Sequence, residues 1–221
     1  MLTTLFKRSI NFCKYSKKKL LIKNYFSTMG NSSTVNLDLG VNRIVWLDME
    51  MTGLNQEKDK IMEIACLVTD ADLNTVAEGP DIIIHHTKET LDKMNDWCVK
   101  HHNKTGLVEA CLNSKTDIKQ AEDELLQFVQ EHTIEKMSPI AGNSVYMDRI
   151  FLIKYMPKLN NYFHYRIIDV STIKELCRRW NPSVFKQAPD KKFEHRALSD
   201  IRESVEELKF YKNHFLKLEK S

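Results

Sequence analysis

The chain is poor in the residues that mark several protein classes. Glycine (six) and proline (five) are scarce among its 221 residues, which argues against long disordered tracts in its body. The five cysteines (Cys13, Cys66, Cys98, Cys111 and Cys177) are odd in number, widely spaced and form no Cys-x-x-Cys pair. A disulfide framework or a cysteine zinc site is therefore not expected, and a reducing intracellular compartment suits the chain. No stretch approaches 18 consecutive apolar residues, so no membrane span is expected. The first 30 residues lack any acid.

Those 30 residues instead hold seven bases, Lys7, Arg8, Lys14, Lys17, Lys18, Lys19 and Lys23. The net charge of +3 thus divides into +7 for this segment and −4 for the remainder. Leu2, Leu5, Phe6 and Ile10 have the spacing of an amphipathic helix. Together these features read as a mitochondrial transit segment, with a basic tail as the plainer alternative. Met29 offers a second start that would yield an untargeted, cytoplasmic form. Residues 1–36 are expected to be this leader plus a polar linker, and residues 40–218 one folded domain. The mildly acidic body does not advertise the lysine-rich surface on which long nucleic acids are bound. A nucleic-acid ligand would be short or held by local contacts.

Strands are predicted at Arg43–Asp48, Lys60–Thr69 and Val76–His85, the last two joined by the turn-rich residues 70–74, as an antiparallel meander. Asp117 is placed to cap a helix whose Ile118, Ala121, Leu125, Phe128 and Val129 share one face. Residues 139–142 read as a short buried strand, followed by a helix capped by Asn143 or Ser144. Another short strand is predicted at Ile167–Val170, then a helix through Trp180, a polar loop at 186–194, and a last helix from about His195. Its inner stripe would be Leu198, Ile201, Val205 and Leu208. Strands followed by alternating helices and short strands imply an α/β sheet with mixed strand directions.

Against this pattern one feature stands out. In Trp46-Leu47-Asp48-Met49-Glu50-Met51-Thr52-Gly53-Leu54, two acids follow an apolar run one residue apart, so strand alternation points both to the same face. At 4 Å two such charges repel by about 4 kcal/mol at an effective dielectric of 20. Asp148 in the first turn of a helix and Asp200 in the last helix are two further acids at places where burial is expected. Singly each has a plain reading: Asp148 favours a helix dipole, Asp200 can be solvated, and His195 can be a polar helix entry.

Jointly, the Asp-x-Glu-x-Thr-Gly motif, the Asp of GNSVYMDRIFL and the HRALSD stretch resemble the three motifs of the DEDDh exonuclease superfamily. WLDMEMTGL, EIACLVTD, MNDWCVKHH, SPIAGNSVYMDRIFLIKYMPKL, YFHYRIIDVSTIKELCRRW and DIRESVEELKFY make the chain more similar still to the oligoribonuclease family, from about Arg43 to Leu218. The 186–194 loop matches least well. This resemblance implies an RNase H-like fold with a central mixed five-stranded sheet flanked by helices. It implies that Asp48, Glu50, Asp148 and Asp200 hold two divalent cations, Mg²⁺ or Mn²⁺, and that His195 is the general base of 3′→5′ hydrolysis to 5′-mononucleotides.

The family's preference for short single-stranded RNA, dinucleotides to short oligomers, implies roles for further positions. Leu54 and Trp97 match positions that pack on bases; without the resemblance Trp97 reads as core. Ser144, Arg166 and Ser171 match positions that hold the 5′ phosphate, and Tyr165 one contributed by the partner in a homodimer. His102 matches a substrate-contacting position, with a surface histidine as the alternative. A DNA-directed or proofreading exonuclease on the same fold, a metal-dependent phosphatase and an inactive nucleic-acid-binding module remain as other readings.

Overall fold

The structure, a computed structural model, describes residues 40–190 and 196–216. The leader, residues 191–194 and His195 lie outside the described residues. A five-stranded sheet in the order β3-β2-β1-β4-β5 organises the domain. Its first three strands, β1 (Ile44–Met51), β2 (Ile61–Thr69) and β3 (Thr75–Ile83), form the expected antiparallel meander. β4 (Ile140–Gly142) pairs with β1 in parallel, and β5 (Ile167–Asp169) with β4 in parallel. The mixed sheet expected from the sequence is thus present. The turn between β2 and β3 is tied by Asp70, whose Oδ1 accepts the amides of Asp72 and Asn74.

β1 is buried on both faces, which explains its nearly unbroken apolar run. Val45, Leu47, Met49 and Met51 enter one core with residues of α4 (Ile118–His132), α5 (Tyr146–Tyr155) and α6 (Pro157–Tyr162). Trp46 enters the other, against α7 (Val170–Trp180) and α9 (Ala197–His214). On α9, Ile201 and Val205 are buried and Leu198 and Leu208 pack partly, as the stripe predicts; Ser204, Glu207 and Tyr211 are buried beside them. A third cluster joins Met62 to α1 (Lys88–Leu91), α2 (Asp96–Lys104) and α3 (Leu107–Asn113), short helices that the sequence pattern had not delimited. The short α8 (Pro182–Phe185) follows α7.

Asp117 caps α4 in a full capping box with Gln120. The expected cap on α5 is corrected: Val145 occupies the N-cap and no side chain caps it. Asn143 and Ser144 have other partners. The Asn143 amide donates to Ser204 Oγ at 2.8 Å and to Glu207 Oε2 at 3.2 Å. Ser144 takes a left-handed conformation, φ 53°, and aims its amide at Asp169 Oδ1 and Ser171 Oγ, each at 3.0 Å.

Candidate active site

Asp48 and Glu50 leave β1 on the face that carries Trp46, near the strand's C-terminal end. Parallel pairing with β4 sets this end beside the start of α5, and α9 crosses the same face. Ligand oxygens of Asp48, Glu50 and Asp200 consequently fall within 4.8 Å of one another, although 150 residues separate Glu50 from Asp200. Asp148 lies beside this group in the first turn of α5 and is buried. The structure thus brings three predicted acids into one cluster and the fourth next to it. His195, one residue before the described Arg196, lies outside the described residues.

The electrostatics show what this packing costs. Burial, then the charge of Asp200, then that of Glu63, pushes the Glu50 carboxyl up to about 8; Arg196 opposes the shift. Burial likewise raises Asp148 well above the usual carboxylate range, with the charges of Asp169 and Glu50 adding to it. The backbone amides of Met49 and Asp148 hydrogen-bond its carboxyl and pull the other way. Such a set is poor as bare anions and good as a ligand set. All-carboxylate donors are hard oxygens, the kind that bind Mg²⁺ or Mn²⁺. The residues present fit divalent cations.

Around the cluster, a stapled turn follows β1. Asp59 Oδ2 accepts the Asn55 amide at 2.8 Å, Thr52 Oγ1 donates to Asp59 Oδ1 at 3.2 Å, and the Lys60 amide donates to Thr52 Oγ1 at 3.0 Å. A Cβ on Gly53 would stand 2.4 Å from Asp59 Oδ2, so a larger residue there would have to displace the Asp59 carboxylate. The turn leaves Leu54 69 % exposed. Trp97 is 54 % exposed and stacks on His101 with ring centroids 3.9 Å apart, so the reading of Trp97 as core is corrected. His102, one residue on, faces inward. It is 1 % exposed, its Nε2 lies 2.9 Å from the Met51 carbonyl and its Nδ1 3.9 Å from Glu50 Oε2. It is not a surface histidine; it backs the carboxylate cluster.

A separate polar group joins Ser144 and Ser171, whose hydroxyl oxygens are 3.3 Å apart. Asp169 accepts both their backbone amides, and Ser171 donates to Asn143 Oδ1 at 3.1 Å. Tyr165 is 74 % exposed, stacks on His164 and lies under the Arg166 guanidinium at 5.2 Å. Sequence reasoning missed the buried partner set behind this group. Glu207 receives Lys174 Nζ at 3.0 Å and the Tyr211 hydroxyl at 3.3 Å, besides Asn143. It also missed Glu63, which pairs with Glu50 across the β1–β2 ladder.

The fold and the acidic cluster define a class, the exonucleases. The sequence model of the family described as Exonuclease, of the RNase T type, matches residues 45–208. Exonuclease I of E. coli in complex with a dA16 oligonucleotide superimposes with a TM-score of 0.61 over 80 % of this chain, at 13 % identity. Exonuclease I of Methylocaldum szegediense gives 0.57 over 79 %, at 15 % identity. This chain spans 42 % and 41 % of those two chains, and at such identities the likeness concerns the fold.

The narrower assignment comes from whole-sequence relatives. The chain is 55 % identical over 175 residues to the human protein named "Oligoribonuclease, mitochondrial", which covers 79 % of this chain and 74 % of the human one. It is 50 % identical over 186 residues to a probable oligoribonuclease of Drosophila melanogaster, covering 84 % and 87 %. To the oligoribonuclease of Actinobacillus pleuropneumoniae it is 51 % identical over 177 residues, covering 80 % and 96 %. The chain belongs to the oligoribonuclease family of 3′→5′ exonucleases.

Proposed function

We propose that the chain is a metal-dependent 3′→5′ exoribonuclease that degrades dinucleotides and slightly longer RNA to 5′-mononucleotides. The observation that carries this reading is the convergence of Asp48, Glu50 and Asp200 within 4.8 Å, with Asp148 buried alongside. These four carboxylates would hold two divalent cations, Mg²⁺ or Mn²⁺. When bound, the cations supply positive charge to the attacking and leaving oxygens of an in-line phosphoryl displacement. The chain's own task is to hold the acids together and keep the scissile phosphate among them. His195 would accept the proton of the attacking water and release it to solvent, from which the leaving 3′ oxygen takes its proton.

Short substrates follow from the surroundings. Leu54 and Trp97 offer apolar surface to two neighbouring bases, a contact that any base sequence satisfies. Ser144, Arg166 and Ser171 hold a terminal 5′ phosphate, with Tyr165 supplied by the second subunit of a homodimer. Because a 5′ end occurs once per strand, such a cap works as a ruler. His102 supports Glu50 from behind. Residues 1–36 would direct the domain, residues 40–218, to mitochondria, and a start at Met29 would leave a cytoplasmic form; human and bovine relatives bear "mitochondrial" in their names.

Incubation of 5′-phosphorylated di- to octaribonucleotides with protein and Mg²⁺ tests the reading, wild type against Asp200→Ala. Mononucleotide release by the wild type alone, fastest on dimers, is the expected result. Equal release by the variant refutes it.

A further inference from the structure

A second group of charges shares the sheet face of the carboxylate cluster without belonging to it. Glu63 stands directly opposite Glu50 on the neighbouring strand and is 0 % exposed. A buried carboxylate needs a partner, and Glu63 has one from across the fold. Its Oε1 accepts Arg196 Nε and a terminal guanidinium nitrogen, both at 2.8 Å. Its Oε2 lies 3.4 Å from the backbone amide of Ala197, the first residue of α9. Asp81, the β3 partner of Ala65, reaches the same guanidinium at 4.0 Å.

Arg196 connects this anchor to the cluster. It is the N-cap residue of α9, where no local side chain caps the helix. Its carbonyl accepts the amide of Asp200 itself at 3.0 Å. One residue therefore binds the sheet through its guanidinium and opens the helical ladder at the acid that joins Asp48 and Glu50. The Glu63 carboxylate, beside the first amide of α9, also has the sign that a helix start favours. Arg196 follows His195 directly in the chain.

We propose that Glu63 and Arg196 are a positioning pair for the exonuclease centre. Glu63 binds no cation; it fixes the start of α9 against β2, and so sets Asp200 against Asp48 and Glu50. The inference rests on the reading of the four acids as the metal site. Lysine cannot replace Arg196 fully, since a single ammonium does not reproduce a guanidinium's fixed fork of donors.

The test uses the charge-balanced double variant Glu63→Gln/Arg196→Gln, whose net charge equals that of the wild type, together with Arg196→Lys. Mn²⁺ binding to the substrate-free protein is measured by calorimetry, and kcat and KM are measured on a diribonucleotide at saturating Mn²⁺. Loss of a group that orients metal ligands costs about 10- to 100-fold in affinity or activity. The double variant is expected to lose that much in Mn²⁺ affinity and in kcat, with KM within about threefold of wild type. Arg196→Lys should fall between. A double variant that melts earlier yet binds Mn²⁺ and turns over like wild type would reduce the pair to a structural contact. If the double variant does not fold, wild-type values for Arg196→Lys overturn the proposal and an intermediate loss supports it. A wild type that binds Mn²⁺ but leaves the dinucleotide intact sinks the nuclease reading, while the Mn²⁺ comparison still decides the role of the pair.

Discussion

Glu50 and Glu63 face each other across the β1–β2 ladder, so their side chains leave the sheet on the same face. The two carboxylates are treated differently. Glu63 is matched by the Arg196 guanidinium at 2.8 Å. Glu50 is set among Asp48 and Asp200, and its carboxyl is pushed up to about 8. One acid is neutralised by a cation of the fold, and the other stands among like charges.

Without metal, stability should fall as pH rises. Glu50 titrates near 8 in the folded chain against an ordinary value of 4.5, so between these the folded state holds a proton that the unfolded state has released. Stability from this group is complete below about 4.5 and is lost as pH climbs through about 8. Asp148, raised by burial, acts in the same direction. In EDTA the Tm should drop by on the order of 5 °C across this interval, and Mg²⁺ or Mn²⁺ should restore it. Glu50→Gln should flatten the slope. Calorimetric melts at several pH values would decide; a metal-free Tm that climbs toward pH 8 would be the contrary result.

Asp200→Asn should separate stability from activity. The substitution removes a like charge beside Glu50 but keeps the side chain's shape. The metal-free variant should melt at the wild-type temperature or higher, and dinucleotide hydrolysis should fall by at least about 100-fold. Paired melting curves and initial rates check both halves.

Much of this was legible in sequence, and the reasons differ by element. Strand periodicity placed β1, β2 and β3, and alternation alone put Asp48 and Glu50 on one face. A capping residue announced α4. The helices between Lys88 and Asn113 are short and weakly patterned, so periodicity did not delimit them. Long-range partners were out of reach: nothing near Glu63 signals that Arg196, 133 residues away, will neutralise it. The same holds for Asn143, read as a helix cap because its type and position allowed it. In the fold it bonds Ser204 and Glu207, more than 60 residues further on. The alternatives of a core Trp97 and a surface His102 both fail, because which way α2 faces is decided by tertiary packing.

Trp97→Ala should weaken substrate binding far more than it weakens the fold. At 54 % exposure the ring contributes little to the core, and a loss of about 1 kcal/mol or less is expected in unfolding. A stacked base contributes about 1–3 kcal/mol, so KM for a dinucleotide should rise roughly 5- to 150-fold. Trp46→Ala gives the reverse contrast: this fully buried ring should cost about 3–5 kcal/mol of stability. Denaturant melts and Michaelis curves for both variants form the test.

Gly53→Ala should disturb substrate placement without touching a carboxylate of the cluster. The new methyl would stand 2.4 Å from Asp59 Oδ2, so the Asp59 carboxylate must shift and strain its bonds to Thr52 and Asn55. A displaced Leu54 should raise KM roughly tenfold, with kcat changed less. A wild-type KM would show that the staple does not present Leu54.

On the proposed function, four carboxylates gathered by β1, α5 and α9 would hold the divalent metal with which the chain hydrolyses short RNA. The most direct measurement is the rate of mononucleotide release from labelled dinucleotide and 20-mer RNA in Mg²⁺, for wild type and for Asp48→Ala. The expected result is rapid cleavage of the dinucleotide by the wild type, much slower cleavage of the 20-mer, and none of either by the variant. Unimpaired cleavage by Asp48→Ala would contradict the metal site, and a 20-mer cut as fast as the dinucleotide would contradict the ruler.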